Sequence, residues 1–371
     1  MIMPTADTLQ TTIDNNGLLL AGQAANHAAA RHIFDDYRAR RAGHTLRRQR
    51  ADLNLFGQYL TAMNVAPVGN FQAEHETWRG ITWGLVAGFV RWQMQQGYAM
   101  ASINVRLSTV KKYASLAFQA GAIDATEHAL IRAVTGYTHQ ESKQVDEKRA
   151  GEGAPTRIAR PGAKKAEAIS IPDTIAKTLK IGHLNTPQGR RDALLVCLLL
   201  DHGLRCGEIA LLKVGNFNLA DGTMMFHRPK VDKAQTHNLT PDTHRALKAW
   251  IESGDCPLLA DAPILRGSTK GEKLDTIRTI TRRNRKNGQL ETYQTGYMKE
   301  RAITKRVAYL GEQHDLRGLS AHDCRHYWAT RASRKGTDPF SLQEAGGWNS
   351  LAMPRRYVEA AKIANAGVKL D

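Results

Sequence analysis

The sequence lacks the features that mark secreted, zinc-binding and membrane proteins. Its four cysteines (Cys197, Cys206, Cys256 and Cys324) lie far apart and form no Cys-x-x-Cys pair, so neither a disulfide framework nor a structural zinc site is predicted. The longest apolar run, residues 193–200, is too short to cross a bilayer. The first thirty residues contain no basic start followed by an apolar run, so no signal peptide is expected. These absences predict a cytoplasmic protein.

Acidic residues are also in deficit. The chain has 35 Asp and Glu against 52 Lys and Arg, which gives a net charge of +17. Such a balance favours a polyanionic partner, with nucleic acid first and an anionic membrane surface second. A basic soluble protein without such a partner is the alternative. The chain has 371 residues, 42% of them hydrophobic and 23% charged, which predicts a globular protein of two domains.

Composition and periodicity divide the chain into unlike segments. Leu53, Phe56 and Leu60 recur at the spacing of one helical face, and two further helices are predicted at about 82–96 and 100–120. Apolar periodicity nearly vanishes between 138 and 170, where Gly, Pro and basic residues accumulate. We therefore expect a flexible N-terminal arm at 1–24, a helical domain with basic faces at 25–137, a basic linker at 138–170 and a second domain at 171–371.

The second half is predicted to be mainly helical with a small β-sheet, so the fold class is α+β. A mostly apolar helix at 192–201 precedes two short strands, 223–226 and 237–239, which flank a hairpin around Lys230. A basic stretch between residues 266 and 306 is expected to form a loop-like insertion that contacts phosphates. The candidate DNA-contacting residues are Arg106, Lys111 and Lys112 in the first domain and Arg282, Arg283 and Arg285 in this insertion.

Arg205 is the first candidate for chemistry. It follows the buried helix and precedes Gly207 and Glu208, so a short turn can present its guanidinium while Glu208 orients it. Arginine binds two phosphate oxygens at once, which lysine cannot do. Taken alone, the pair is more typical of a surface ion pair.

Lys230 and the pair His322 and Arg325 are the next candidates. A lysine at a hairpin tip can donate a proton to a leaving oxygen, although Lys233 competes with Lys230 for this role. His322 and Arg325 are three residues apart and project from one side of a helix. An imidazole and a guanidinium on one face can bind a phosphate together, but the spacing alone is unspecific.

The last block runs from Trp348 to Tyr357. Arg355 and Arg356 directly precede Tyr357, and neighbouring arginines are expected to lower the cost of forming its phenolate. A phenolate is a competent oxygen nucleophile that gives a covalent intermediate. A tyrosine packed on a late helix is the commoner structural role.

Together, in order, these residues form the pattern Arg, Lys, His-x-x-Arg, Trp, Tyr, which resembles the tyrosine recombinase (phage integrase) family. Lys230 follows Arg205 by 25 positions (230 − 205), and Tyr357 follows Trp348 by nine (357 − 348). The resemblance extends over about residues 25–371, and it implies that 25–137 is a core-binding, DNA-binding domain and 171–371 the catalytic domain. Two departures exist, because histidine is commoner than Trp348 at its position and the hairpin lacks the usual Gly-Lys-Gly.

The resemblance implies a site-specific DNA recombinase that cleaves and rejoins double-stranded DNA through a 3′-phosphotyrosine at Tyr357, as in mobile genetic elements. It implies that Arg205 and Arg325 stabilise the phosphate charge, with Trp348 and His322 as further donors. Lys230 is then the acid, and His322 can accept the tyrosine proton. No metal or cofactor is implied. Four protomers are expected in the synapse, and a monomer or dimer off DNA.

Several alternatives stay open at this stage. A type IB topoisomerase-like relaxing enzyme shares the chemistry, a DNA-binding regulator would keep the basic domains without catalysis, and a metal-dependent nuclease would use His322 and Asp323. The sequence leaves open the DNA target and the choice among integration, excision, resolution and transposition. The tail from 358 to 371 can dock on a neighbouring protomer or on the protomer to which it belongs.

Overall fold

The computed structural model describes residues 6–66, 69–152, 168–182, 184–268, 273–284 and 288–361. The chain separates into two compact units, Met1–Ile158 and Ala159–Asp371, and the division falls inside the segment expected to be a linker. Among the described residues, no helix combines the length and the apolarity that a membrane span requires.

In its described residues, the first unit has helices as its only regular secondary structure. Its core is aromatic: Phe56, Trp78, Phe89 and Tyr113 are buried, and the Phe56 and Trp78 rings stack with centroids 6.1 Å apart. One central helix, α4, packs against all the others, because its apolar residues cover more than one face. The helices are α1 (Ala6–Ala39), α2 (Gly43–Ala62), α3 (Trp83–Gln95), α4 (Met100–Gln119), α5 (Ala125–Ala133) and α6 (His139–Gly151).

Two helices lie where irregular chain was expected. Helix α1 begins at Ala6, within the predicted flexible arm, and its alanine-rich middle has the highest intrinsic helix propensity. Helix α6 occupies the first part of the predicted linker. Its Arg149 donates to the carbonyls of Tyr98 (3.0 Å) and Met94 (2.9 Å). These contacts dock α6 on the end of α3, so it belongs to the first unit.

The second unit is built around one buried helix. Residues 193–200 are all buried, and neighbouring helices pack around them. Its helices are α7 (Asp173–Ile181), α8 (Pro187–Leu200), α9 (Cys206–Ala210), α10 (Pro241–Glu252), α11 (Glu300–Glu312), α12 (Ala321–Arg334), α13 (Pro339–Gly346) and α14 (Ala352–Ala361). Its strands are β1 (Phe217–Asn218), β2 (Thr223–Arg228), β3 (Lys233–Asn238), β4 (Arg278–Arg283) and β5 (Leu290–Thr295).

Two antiparallel sheets complete the second unit. Strands β1, β2 and β3 form a meander in that order, and a four-residue turn at 229–232 joins β2 to β3. Strands β4 and β5 pair in register, with Arg282 opposite Glu291 and Arg283 opposite Leu290. The expected loop-like insertion is therefore a hairpin in its described part. Almost all of its side chains are exposed or half-exposed on both faces, so no alternating apolar pattern indicates its strands.

Candidate active site

Arg205 stands at the start of α9, held by the carboxylate of Glu208. The Glu208 side chain accepts a hydrogen bond from the Arg205 backbone N–H (2.8 Å) and another from Arg205 Nη1 (2.6 Å). Gly203 turns the chain into this position with φ of +59°, and a Cβ there would lie 2.4 Å from the Trp328 ring. The turn therefore requires glycine, and the guanidinium of Arg205 is fixed as the sequence predicts.

Arg325 is buried in the first turns of α12. Its Nη1 donates to the Gly203 carbonyl (2.6 Å) and its Nη2 to the Gly346 carbonyl. Its guanidinium carbon lies 4.4 Å from the centre of the Trp348 ring. Burial lowers the pKa of Arg325 to about 9, and two neighbouring arginines add to this effect. The site therefore concentrates positive charge in a region of low solvation, which suits a phosphodiester anion.

Asp323, a candidate metal ligand for a nuclease, has a structural role at the start of α12. Its Oδ2 accepts hydrogen bonds from the Ser320 backbone N–H (2.8 Å) and from Ser320 Oγ (2.7 Å). The Asp323 backbone N–H in turn donates to Ser320 Oγ (3.4 Å), which completes a capping box. Its Oδ1 accepts from the backbone N–H of Ile169 (3.0 Å). These contacts account for the buried carboxylate without a metal ion.

Tyr357 is buried among aromatic rings, with 5% of its surface exposed. The Trp348 ring centre lies 5.8 Å away and the His326 ring centre 5.2 Å away. Burial raises the pKa of Tyr357 more than Arg325 and Arg356 lower it. The expectation that neighbouring arginines lower the cost of forming the phenolate is therefore wrong, because desolvation raises the pKa of Tyr357 more than the arginines lower it. To act as a nucleophile, Tyr357 would need a proton acceptor.

His326 is the acceptor candidate that the sequence analysis missed. Its Nε2 lies 3.1 Å from Nε2 of His322, while its ring contacts Tyr357 edge-on. Burial, and secondarily His322, lower the pKa of His326, which keeps it neutral. The signal was present in the sequence: His326 lies four residues after His322, one helical turn along the same face.

Lys230 lies in the exposed turn between β2 and β3. Within the part of the chain that the structure describes, Lys230 enters no hydrogen bond or ion pair. Lys233 opens β3 and its Cα faces that of Arg228 across the hairpin. Lys230 therefore lies within the turn and Lys233 directly follows it, and the choice of Lys230 over Lys233 stays a prediction.

Arg228 is a second functional candidate that sequence reasoning missed. It is fully buried at the end of β2, and its Nη1 lies 2.8 Å from Glu208 Oε2. The alternation of buried side chains along β2, Met224, Phe226 and Arg228, is the signal that could have placed it on the inner face. Glu208 thus bridges Arg228 to Arg205.

The predicted DNA-contacting residues of the first unit have different environments. Arg106 stacks 4.0 Å from the centre of the Tyr98 ring and donates to Gln93 Oε1 (3.1 Å). Lys111 donates to two backbone carbonyls near the end of α5, those of residues 132 (2.6 Å) and 134 (2.8 Å). Lys112 is exposed, with its Nζ 5.1 Å from the Tyr37 ring centre.

The predicted residues of the second hairpin are only partly described. Arg282 and Arg283 are exposed on β4, where their side chains are accessible. Arg285 lies outside the described residues, as does the tail from 362 to 371.

Known proteins similar to this chain share its architecture. Residues 172–363 match the phage integrase family. The tyrosine recombinase XerC of Oceanobacillus iheyensis is 22% identical over 325 residues, which cover 86% of each chain. The Tn1549 transposon integrase, solved with circular intermediate DNA, has a TM-score of 0.55 at 12% identity, covering 88% of this chain and 94% of that one. A lambda integrase dimer bound to a core site has a TM-score of 0.53 at 15% identity, covering 93% and 97%.

Proposed function

The chain belongs to the phage integrase family, and on that premise we propose that it is a site-specific recombinase that cuts and rejoins double-stranded DNA with Tyr357 as nucleophile. One observation carries the assignment of the site. The guanidinium of Arg325 is held by two carbonyls against Trp348, and Trp348 in turn packs on Tyr357. A phosphate bound by the arginine is thereby brought beside the tyrosine.

The cleavage step follows from these positions. The Tyr357 oxygen attacks phosphorus, its bond to phosphorus forms, and the bond from phosphorus to the 5′-oxygen breaks. Arg205 and Arg325 neutralise the charge on the non-bridging oxygens, and the indole N–H of Trp348 can donate one further hydrogen bond. The tyrosine proton passes to the pair of His326 and His322, because burial makes spontaneous ionisation of Tyr357 costly.

The leaving 5′-oxygen must gain a proton, which Lys230 supplies in this scheme, with Lys233 as the other lysine of the turn. Rejoining reverses the step with a different 5′-hydroxyl, and the phosphotyrosine bond conserves the energy of the original phosphodiester. We further infer that four protomers act together on two duplexes, and that the protein works in the cytoplasm without a metal or cofactor. The relatives solved with DNA support the choice of DNA as the substrate.

The test is covalent trapping. The full chain is mixed with a plasmid library, the reaction is stopped with detergent, and protein–DNA adducts are collected and their DNA is sequenced. Wild type should give adducts at one recurring sequence in the presence of EDTA. Tyr357→Phe keeps the packed ring but removes the nucleophilic oxygen, so it should bind DNA and form no adduct.

Tyr309→Phe is the matched control, because Tyr309 is exposed on α11 away from these contacts and its variant should form adducts normally. An adduct on Tyr357→Phe would exclude this nucleophile. Adducts spread over unrelated sequences, with relaxation of supercoils, would favour a topoisomerase-like enzyme.

A further inference from the structure

The C-terminal end of α13 is where three elements of the catalytic unit meet. Its last carbonyls have no partner within the helix and carry the negative end of its dipole. The Ala345 carbonyl accepts from Arg228 Nη2 (2.7 Å), the Glu344 carbonyl from Gln235 Nε2, and the Gly346 carbonyl from Arg325 Nη2. The β2–β3 hairpin supplies two of these three donors, so it is fastened to the segment that leads into Trp348.

Arg228 is the centre of this junction. None of its surface is exposed, and its guanidinium contacts Glu208, the Ala345 carbonyl and the Gln235 side chain, with its carbon 4.8 Å from the centre of the Phe226 ring. A buried guanidinium that lost these partners would be strongly destabilising. The contacts therefore hold the end of β2 in one place.

The backbone around Arg228 leaves little room for movement. A Cβ on Gly347 would lie 2.4 Å from Arg228 Cδ, and Gly347 has φ of +59°. The arginine side chain thus passes directly against the turn before Trp348. Arg228 is the last residue of β2 and pairs across the hairpin with Lys233, so it forms the base of the turn 229–232.

We propose that Arg228 is a positioning residue for the acid that protonates the leaving 5′-oxygen. By anchoring the base of the turn to α13, it sets where the lysine of that turn meets the phosphate that Arg205 and Arg325 bind. Lys230 lies two residues beyond Arg228, and Lys233 lies opposite it, so the inference holds for either lysine. It rests on the proposed recombinase function.

The experiment compares two leaving groups. Single-turnover cleavage is measured on a duplex carrying the sequence recovered from the trapped adducts, either with a normal phosphodiester or with sulfur replacing the 5′-bridging oxygen. A thiolate leaves without needing a proton. Arg228→Met should cleave the normal substrate on the order of 10²-fold more slowly, the scale of general acid catalysis, and cleave the sulfur substrate at nearly the wild-type rate.

Matched variants show whether Arg228 affects cleavage through the acid or through the binding of the phosphate. Replacement of the acid itself, Lys230→Ala or Lys233→Ala, should show the same recovery on sulfur. Arg205→Ala should be slow on both substrates, because it acts on the phosphate. Gln235→Ala, which loosens the same hairpin without touching Glu208, should show a smaller defect that also recovers.

The outcomes separate the two proposals. If Arg228→Met is slow on both substrates, as Arg205→Ala is, the inference is overturned, because the residue then acts through Glu208 and Arg205 or through folding. If that variant does not fold, Arg228→Lys, which keeps the charge with fewer donors, takes its place with the same two substrates. Failure of wild type to form an adduct through Tyr357 would instead reject the proposed function itself. If Lys230→Ala and Lys233→Ala both cleave the sulfur substrate slowly, neither lysine is the acid, and the inference is also overturned.

Discussion

At the scale of single residues, a charged side chain on a polar helix face is not thereby available to a ligand. Lys111 and Lys112 are adjacent on α4, yet the ammonium of Lys111 donates hydrogen bonds to two backbone carbonyls near the end of α5. Burial lowers the pKa of Lys111. Lys112 lies on the surface. The sequence analysis treated the two residues alike, since the partners of Lys111 lie about twenty positions away along the chain and no local pattern reveals them.

We therefore expect different losses from Lys112→Ala and Lys111→Ala. Lys112→Ala should weaken DNA binding for all sequences and lower the slope of log affinity against log salt by about 1. Lys111→Ala should leave that slope unchanged and lower the free energy of unfolding of the first unit by about 1 kcal/mol, because two carbonyls lose a donor. Fluorescence anisotropy with a labelled duplex at several salt concentrations, and urea unfolding, measure both. A lower slope in Lys111→Ala would show that this lysine contacts phosphate.

At the scale of elements, the proposed catalytic site depends on two short turns that the sequence signals only through glycine. Gly203 precedes Arg205 and Gly347 precedes Trp348, both with φ of +59°. The order of Arg205, Arg325, Trp348 and Tyr357 was readable from the sequence, and so were helices such as α3 and α4, because apolar periodicity marks them. Strands β4 and β5 were not, since neither face is buried. Arg228 was also missed, since a buried arginine follows from its distant carbonyl and carboxylate partners rather than from its neighbours.

The turn at Gly347 gives an element-scale prediction. Gly347→Ala should destabilise the protein more than Gly336→Ala, although both place a side chain in the left-handed region at a cost of about 1 kcal/mol. Only at 347 does the new Cβ meet another group, since nothing lies within 4 Å of the Cβ position at Gly336. Thermal melts and single-turnover cleavage compare the two. If Gly347→Ala and Gly336→Ala have equal melting temperatures and equal cleavage rates, the Arg228 side chain moves away from the new methyl group without a cost in free energy.

At the scale of the whole molecule, each unit has its own hydrophobic core, and the second unit contains a buried histidine, His202, beside a half-buried one, His237. Burial lowers the pKa of His202 to about 3 and that of His237 to about 4. Their ring centres are 5.6 Å apart, and a charge on His237 further lowers the pKa of His202, while Arg228 further lowers the pKa of His237. Unfolding returns both to the ordinary histidine value near 6.5.

The second unit should therefore lose stability in acid. Below about pH 6.5 the two histidines bind protons in the unfolded chain but not in the folded unit. Stability is therefore full above this pH and falls as pH decreases toward about 4. The slope from the pair approaches ~2.7 kcal/mol per pH unit. Urea titrations at several pH values, read through hydrogen exchange of residues 193–200, measure it. His237→Gln should remove about half of this slope; an unchanged slope would mean that His237 is already charged in the folded protein.

The carboxylate of Glu208, shared between two arginines, also has an evolutionary consequence. A substitution at 208 disturbs Arg205 and Arg228 together, and a substitution at 228 disturbs Gln235 as well. Their effects cannot add independently, because residues of one hydrogen-bonded network are coupled. Lineages descended from this chain should therefore change positions 208, 228 and 235 as a set, while Tyr357 stays fixed. A mutational library that randomises the three positions jointly should yield active variants that stepwise single changes would not reach.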